Sequence, residues 1–176
     1  MKPAIAKRFS ARRFVRSGEG ATAVEFALIA PPFIALLWAI LQTALVFFAQ
    51  QVLQTATLQA ARQIMTGQAQ SANMTQAQFQ QLVCNNSAGL FSCSGLHAAV
   101  QTFTTFPQVS MYNPIQSGHF VSTGMPFSPG APGDVEVVQV FYQWPVWPGP
   151  LGFNLSDPHG GGSDLIVGTA AFRNEP

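Results

Sequence analysis

Charge is scarce in this chain of 176 residues: Asp, Glu, Lys and Arg together make up 9% of it, while 48% is hydrophobic. An average soluble domain carries about 25% charged residues, so the composition fits a modest globular domain joined to a membrane anchor. Cations are rarer still beyond the N-terminus. Six of the eight (Lys2, Lys7, Arg8, Arg12, Arg13 and Arg16) precede the apolar region, and only Arg62 and Arg173 follow it. A net charge of +1 gives no electrostatic footprint for nucleic acid, and membrane topology explains the basic cluster better than phosphate binding does. Cysteine is almost absent: Cys84 and Cys93 stand alone, without C-x-x-C spacing and without third and fourth metal ligands. His97, His119 and His159 lack metal-ligand spacing, and there is neither a nucleophile elbow nor a phosphate-binding glycine loop. The segment DPHGGGSD (157–164) has glycines and carboxylates that suit calcium in kind, but it lacks the spacing of a calcium loop and reads as a turn. No recognisable enzyme motif is thus present, and no cofactor or metal is expected.

One apolar run dominates what is present. From Phe26 to Ala49 no side chain is ionised, and only Gln42 and Thr43 interrupt the hydrophobic and small residues. As a helix these residues span about 36 Å, enough to cross a hydrocarbon core about 30 Å thick. A buried helix of a soluble core is the alternative, but no second segment is apolar enough to surround one. A cleaved secretory signal is another, but its apolar region normally runs to about 7–15 residues. The basic leader holds the N-terminus in the cytoplasm by the positive-inside bias. The remainder then lies across the membrane, as a single-pass protein of the bacterial inner membrane with a periplasmic C-terminal domain.

Glu25 stands at the inner boundary of this run. A carboxylate at the edge of a span is either polar flank or a functional group, and by itself Glu25 fits both. It does not stand by itself. Gly20 precedes it by five residues, Ala21 to Val24 are small or apolar, and Phe26 follows. A basic leader, Gly-x-x-x-x-Glu-Phe and a long apolar helix resemble the type III signal of type IV pilins and their pseudopilin relatives. The runs AVEFALIAPPF (23–33), FFAQQVLQTAT (47–57), AARQIMTGQAQ (60–70) and FRNEP (172–176) resemble the TadE-like family of the tight-adherence (Flp) pilus assembly system. The resemblance implies cleavage after Gly20 by a membrane prepilin peptidase, with Ala21 as the new N-terminus and Glu25 and Phe26 acting in assembly. It implies other pilus-assembly membrane proteins and pseudopilins as partners, besides the lipid bilayer. The rival reading is an uncleaved, signal-anchored periplasmic binding or enzymatic domain.

The chain divides into a basic leader (1–20), a transmembrane helix continuing beyond the bilayer (21–67) and a distal α+β domain (68–176). Pro31 and Pro32 remove helical donors and are expected to kink or split the helix. Ala35 and Ala39, four apart, permit close packing with a neighbour but carry a weak association signal. Residues 50–66 are good helix formers, with Val52, Leu53, Ala56, Ala60, Ile64 and Met65 on one apolar stripe. That stripe suits partner helices and the protein's own sheet equally well. Gly67 is a natural stop. Residues 68–74 read as a polar linker, and Thr75 with Gln78 forms a capping box for a short helix to about Val83. In an oxidising periplasm Cys84 and Cys93 favour a structural disulfide. Residues 100–106, 108–112, 118–123, 135–144 and 165–172 have strand composition. They predict an antiparallel sheet of three or four strands against the long helix, with the helices on one face. The Pro- and Trp-rich loop around Trp144, Trp147 and Phe153 suits an exposed docking loop or one folded over the sheet.

Overall fold

A computed structural model describes residues 20–157 and 162–176. The basic leader, with its orienting charges, and most of the glycine turn after Asp157 lie outside the described residues.

Helix α1 (Ala21–Met65) is 45 residues long, about 66 Å at the usual rise, and it changes character along its length. In its first half Val24, Phe26, Leu28, Ile29, Phe33, Ile34, Leu36 and Ile40 are all exposed. These positions point around most of the circumference and only Ala35 and Gln42 of this half are buried, so it has no continuous core-facing stripe and no water-facing side. Among the described residues it is the one helix long and apolar enough to cross a membrane. From Ala49 onward burial follows helical spacing: Leu53, Ala56, Thr57, Ala60, Ala61 and Ile64 are buried, whereas Thr55, Leu58, Gln59 and Arg62 face outward. The expected split at Pro31 and Pro32 does not occur, and the helix runs through both. Proline's fixed φ is itself helical, so the pair costs donors without forcing a break. Gly67 ends the helix with φ +73°, in the left-handed region that glycine enters without a Cβ clash, and its amide donates to the Ile64 carbonyl at 3.0 Å.

The presumed linker contains a single helical turn, α2 (Gln68–Ser71). Helix α3 (Gln76–Asn86) starts with the capping box: the Gln78 amide donates to Thr75 Oγ1 (3.3 Å) and the Thr75 amide donates to Gln78 Oε1 (2.8 Å). Cys84, near the end of α3, is bonded to Cys93, with Cα atoms 5.4 Å apart. This closes a short loop, and the constraint is worth about 2–3 kcal/mol in chain-entropy terms.

Strand β1 (His97–Phe103) leads across a long irregular excursion to β4 (Val135–Pro145) and then β5 (Ser163–Arg173). The sheet order is β1-β4-β5, antiparallel throughout, with Val100 opposite Val138 and Val138 opposite Ala170. Alternation sends Ala98, Val100, Val138, Val140, Ile166 and Ala170 into one core with the second half of α1 and with Phe79 and Val83 of α3. The other face carries Ala99 and Phe141 against Met125, Tyr112 and Phe120. The fold is α+β, as the sequence predicts.

Two expected strands do not join the three-stranded sheet. Residues 108–112 are irregular because Pro107 and Pro114 bracket them, and the Tyr112 amide donates to the Gln139 side chain (2.7 Å) instead of to a strand. Of residues 118–123 only β3 (His119–Phe120) is extended. It pairs with β2 (Ile115–Gln116) across Ser117 and Gly118, which both have positive φ, as a tight hairpin turn requires.

The packing of α1 on β5 depends on Gly168. A Cβ there would collide with the Thr57 side chain and lie 2.9 Å from the Leu53 carbonyl. Gly168→Ala is expected to destabilise the fold by about 1–3 kcal/mol, the usual cost of overpacking. Chemical denaturation of the detergent-solubilised chain measures this, and unchanged stability would mean that helix and strand do not approach so closely.

Candidate functional site

The residues singled out by sequence fall at two separate places. Gly20 is the residue before α1, with φ −84° and ψ −19°, and Ala21 is the first helical residue. Glu25 lies one turn along on the same face as Ala21. Glu25 is exposed and Phe26 is 73% exposed, so nothing in the described chain covers the group that the resemblance assigns to assembly. Cys84 and Cys93 are in the distal domain and pin α3 to the turn that precedes β1. They hold the scaffold and do not join Glu25.

Between these places lies a junction built from polar side chains that composition alone does not distinguish from generic helix formers. Gln50 Nε2 donates to the Val167 carbonyl (2.7 Å), and the Val167 amide donates to Gln50 Oε1 (3.2 Å). One turn on, Gln54 Nε2 donates to the Thr169 carbonyl (2.7 Å), and the Thr169 amide donates to Gln54 Oε1 (2.9 Å). Lower on the helix, Gln42 Nε2 donates to the Trp147 carbonyl (2.7 Å). The signal available in the sequence was the spacing of Gln42, Gln50 and Gln54, eight and four residues apart beside an apolar stripe.

The far end of α1 is closed by the C-terminal motif. The Glu175 amide donates to the Met65 carbonyl (2.9 Å), which the end of the helix leaves unpaired. Asn174 is 4% exposed, and its Nδ2 donates to the carbonyls of Gly130 and Ala131 (3.2 Å each) and to Glu136 Oε1 (3.3 Å). Gln70 Nε2 also reaches the Gly130 carbonyl (3.0 Å). The runs 60–70 and 172–176, far apart in sequence, therefore meet around one loop.

Glu136 sits in that cluster, fully buried on the helix-facing side of the sheet. Its Oε1 accepts from the Gly130 amide and from Thr102 Oγ1 (3.0 Å), while Oε2 has no partner. Burial pushes its carboxyl above the ordinary range. The hydrogen bonds from Gly130, Thr102 and Asn174 oppose that shift, and the nearby Asp134 adds to it. Asn174 Oδ1 and Gln70 Oε1 are likewise buried acceptors without donors. Elsewhere burial and Asp157 raise the Asp164 carboxyl, and burial lowers His97.

The loop after β4 gives a divided answer to the choice between docking and folding over. Trp144 is half-buried and packs edge-on against Phe91, with ring centres 6.0 Å apart, whereas Trp147 stays exposed.

With this geometry in place, comparison with known proteins gives one family match: residues 20–62 fit the family model described as TadE-like protein. The match begins at Gly20 and takes in the apolar half of α1 and the glutamine pair, so the resemblance first carried by sequence motifs is supported over this segment. No curated protein and no solved structure matches the chain.

The buried carboxyl gives the fold a pH dependence of known sign. In the unfolded chain Glu136 loses its proton near the ordinary 4.5, while the folded chain keeps it to higher pH, so folding binds a proton between the two values. The stability contributed here is complete below about pH 4.5 and falls as pH rises through the folded value. Glu136→Gln is expected to flatten that part of the profile. Thermal unfolding from acid to neutral pH tests this, and an unchanged slope in the variant would assign the dependence to other groups.

Proposed function

We propose that this protein is a membrane-anchored, TadE-like pseudopilin that is cut after Gly20 by a prepilin peptidase and takes part in assembling Tad-type pili for surface adhesion. The observation that carries the reading is a coincidence of positions. The family match starts at Gly20, and the residues that the resemblance assigns to processing or assembly lie at that end of it, with Ala21, Glu25 and Phe26 exposed.

The physical consequences of cleavage agree with this role. Removing the leader leaves Arg62 and Arg173 against six carboxylates, a side-chain charge of −4 in place of +1. A helix tied to six cations on one side of the bilayer cannot be drawn through it cheaply; one held only by apolar burial can move into an assembly. The new ammonium of Ala21 and the Glu25 carboxylate then lie on one face, and Glu25 of one copy can meet the ammonium of the next. Pairing of this kind sets register between helices more than it adds stability. The protein is read as a component of assembly, not an enzyme. It sits in the inner membrane with its N-terminus in the cytoplasm and its domain in the periplasm.

Two measurements test the reading. Intact mass in cells with and without prepilin peptidase is expected to show a chain beginning at Ala21 only when the peptidase is present, and a bulky residue at Gly20 is expected to leave the leader attached. An unshortened chain in both strains would favour a signal-anchored periplasmic domain instead. Glu25→Gln is expected to leave cleavage largely intact while weakening crosslinking to other pilus components and reducing surface pili, because the lost carboxylate strands a charge in a low-dielectric site. Normal association and piliation in this variant would eliminate the pairing mechanism.

A further inference from the structure

The distal domain does not stand clear of the helix half that crosses the bilayer. After β4 the chain drops back along α1, and Trp38, Leu41, Gln42 and Leu45 of the helix face Trp144, Pro145 and Trp147 across a cleft of about 220 Å³. The contact is close: a Cβ on Gly149 would lie 2.8 Å from the Trp38 ring. Gln42, 7% exposed, ties the loop down through the Trp147 carbonyl, while its Oε1 is buried without a partner.

The height of this contact is fixed by the helix. Gln42 lies about 32 Å along the axis from Ala21, and a hydrocarbon core is about 30 Å thick. Counting from Phe26 moves the far boundary of the core only to about residue 45. On either count, a loop packed against residues 38–45 is held at the edge of the hydrocarbon, where it cannot be surrounded by bulk water. Its composition suits that level. No residue from 137 to 156 is charged, Trp147 is 61% exposed, and Leu151, at 82%, is the most exposed large hydrophobic side chain among the described residues. Tryptophan favours this interfacial layer, since its ring is apolar and its N–H is polar.

We infer that residues 145–153 form a membrane-docking loop: Trp147 and Leu151 enter the leaflet that faces the distal domain, and the tryptophan cleft takes part of a phospholipid acyl chain. Because the loop is bonded to the span, the domain rides at a fixed height on the bilayer, and moving the helix into an assembly would require both anchors to leave the lipid together. The inference rests on α1 spanning a bilayer, and the test separates the two.

The full chain, reconstituted in vesicles of phosphatidylethanolamine and phosphatidylglycerol with a phosphatidylcholine brominated near the headgroup, reports through its tryptophans. Trp147 alone remains in the Trp38→Phe/Trp144→Phe variant, and Trp38 alone in Trp144→Phe/Trp147→Phe. Quenching of Trp147 comparable to that of Trp38, with most of it lost when Leu151→Asp is added, is the expected result. Quenched Trp38 with unquenched Trp147 would overturn the docking loop and leave the span standing, whether Trp147 emits as in water or as if covered by protein. Absence of quenching at both positions would overturn the span, and the loop with it.

Discussion

Two glutamine side chains join the long helix α1 to the sheet. Gln50 and Gln54 each exchange two hydrogen bonds with the outer edge of β5, at Val167 and Thr169. The geometry works because two periodicities nearly coincide: four residues of helix advance about 6.0 Å and two residues of strand about 6.6 Å. Each amide presents a donor and an acceptor as a neighbouring strand would, so the helix stands in for a fourth strand. Gly168, between the two paired residues, lacks the Cβ that would hold the helix away.

The same interaction removes a hazard. An uncovered edge strand is a template for unwanted pairing, and β5 is one of two edges in a sheet of three strands. The other, β1, exchanges backbone hydrogen bonds with Pro126 and Ser128 through Val100, and the Ala98 carbonyl accepts from Gln76. Both edges are therefore occupied at these positions, which shortens the backbone ladder each leaves open. Among the described residues most of the exposed large apolar side chains lie on α1 up to Phe48, with Trp147 and Leu151 of the loop beside it, while Leu58, Phe106 and Met111 are exposed elsewhere. Lipid or neighbouring helices are the environments that such a surface suits, which is where the pseudopilin reading places it.

Much of this was legible in the sequence because it rests on local pattern. The apolar run, the Leu53 to Ile64 stripe, the Thr75 and Gln78 capping box, the Cys84 and Cys93 pair and the two long strands all follow from spacing and composition, and each has its counterpart in the structure. What was not legible depends on partners distant in sequence. Gln50 and Gln54 read as ordinary helix formers until β5 arrives 115 or more residues later. Glu136 sits inside a strand of alternating valines, and only Thr102, Gly130 and Asn174 make its burial tolerable. Residues 108–112 had strand composition but no free edge to join, and the prolines on either side left them to cross the sheet as irregular chain.

Helix and sheet form one unit, locked by the glutamine pair. Amide hydrogen exchange at Val167 and Thr169 tests it most directly, because these two N–H groups donate to α1 while their neighbours on β5 face β4. In the detergent-solubilised chain both amides should be protected in step with the β4–β5 ladder, and Gln50→Ala with Gln54→Ala should release these two while the ladder stays protected. Fast exchange of both amides in the unaltered protein, with the ladder intact, would contradict the account.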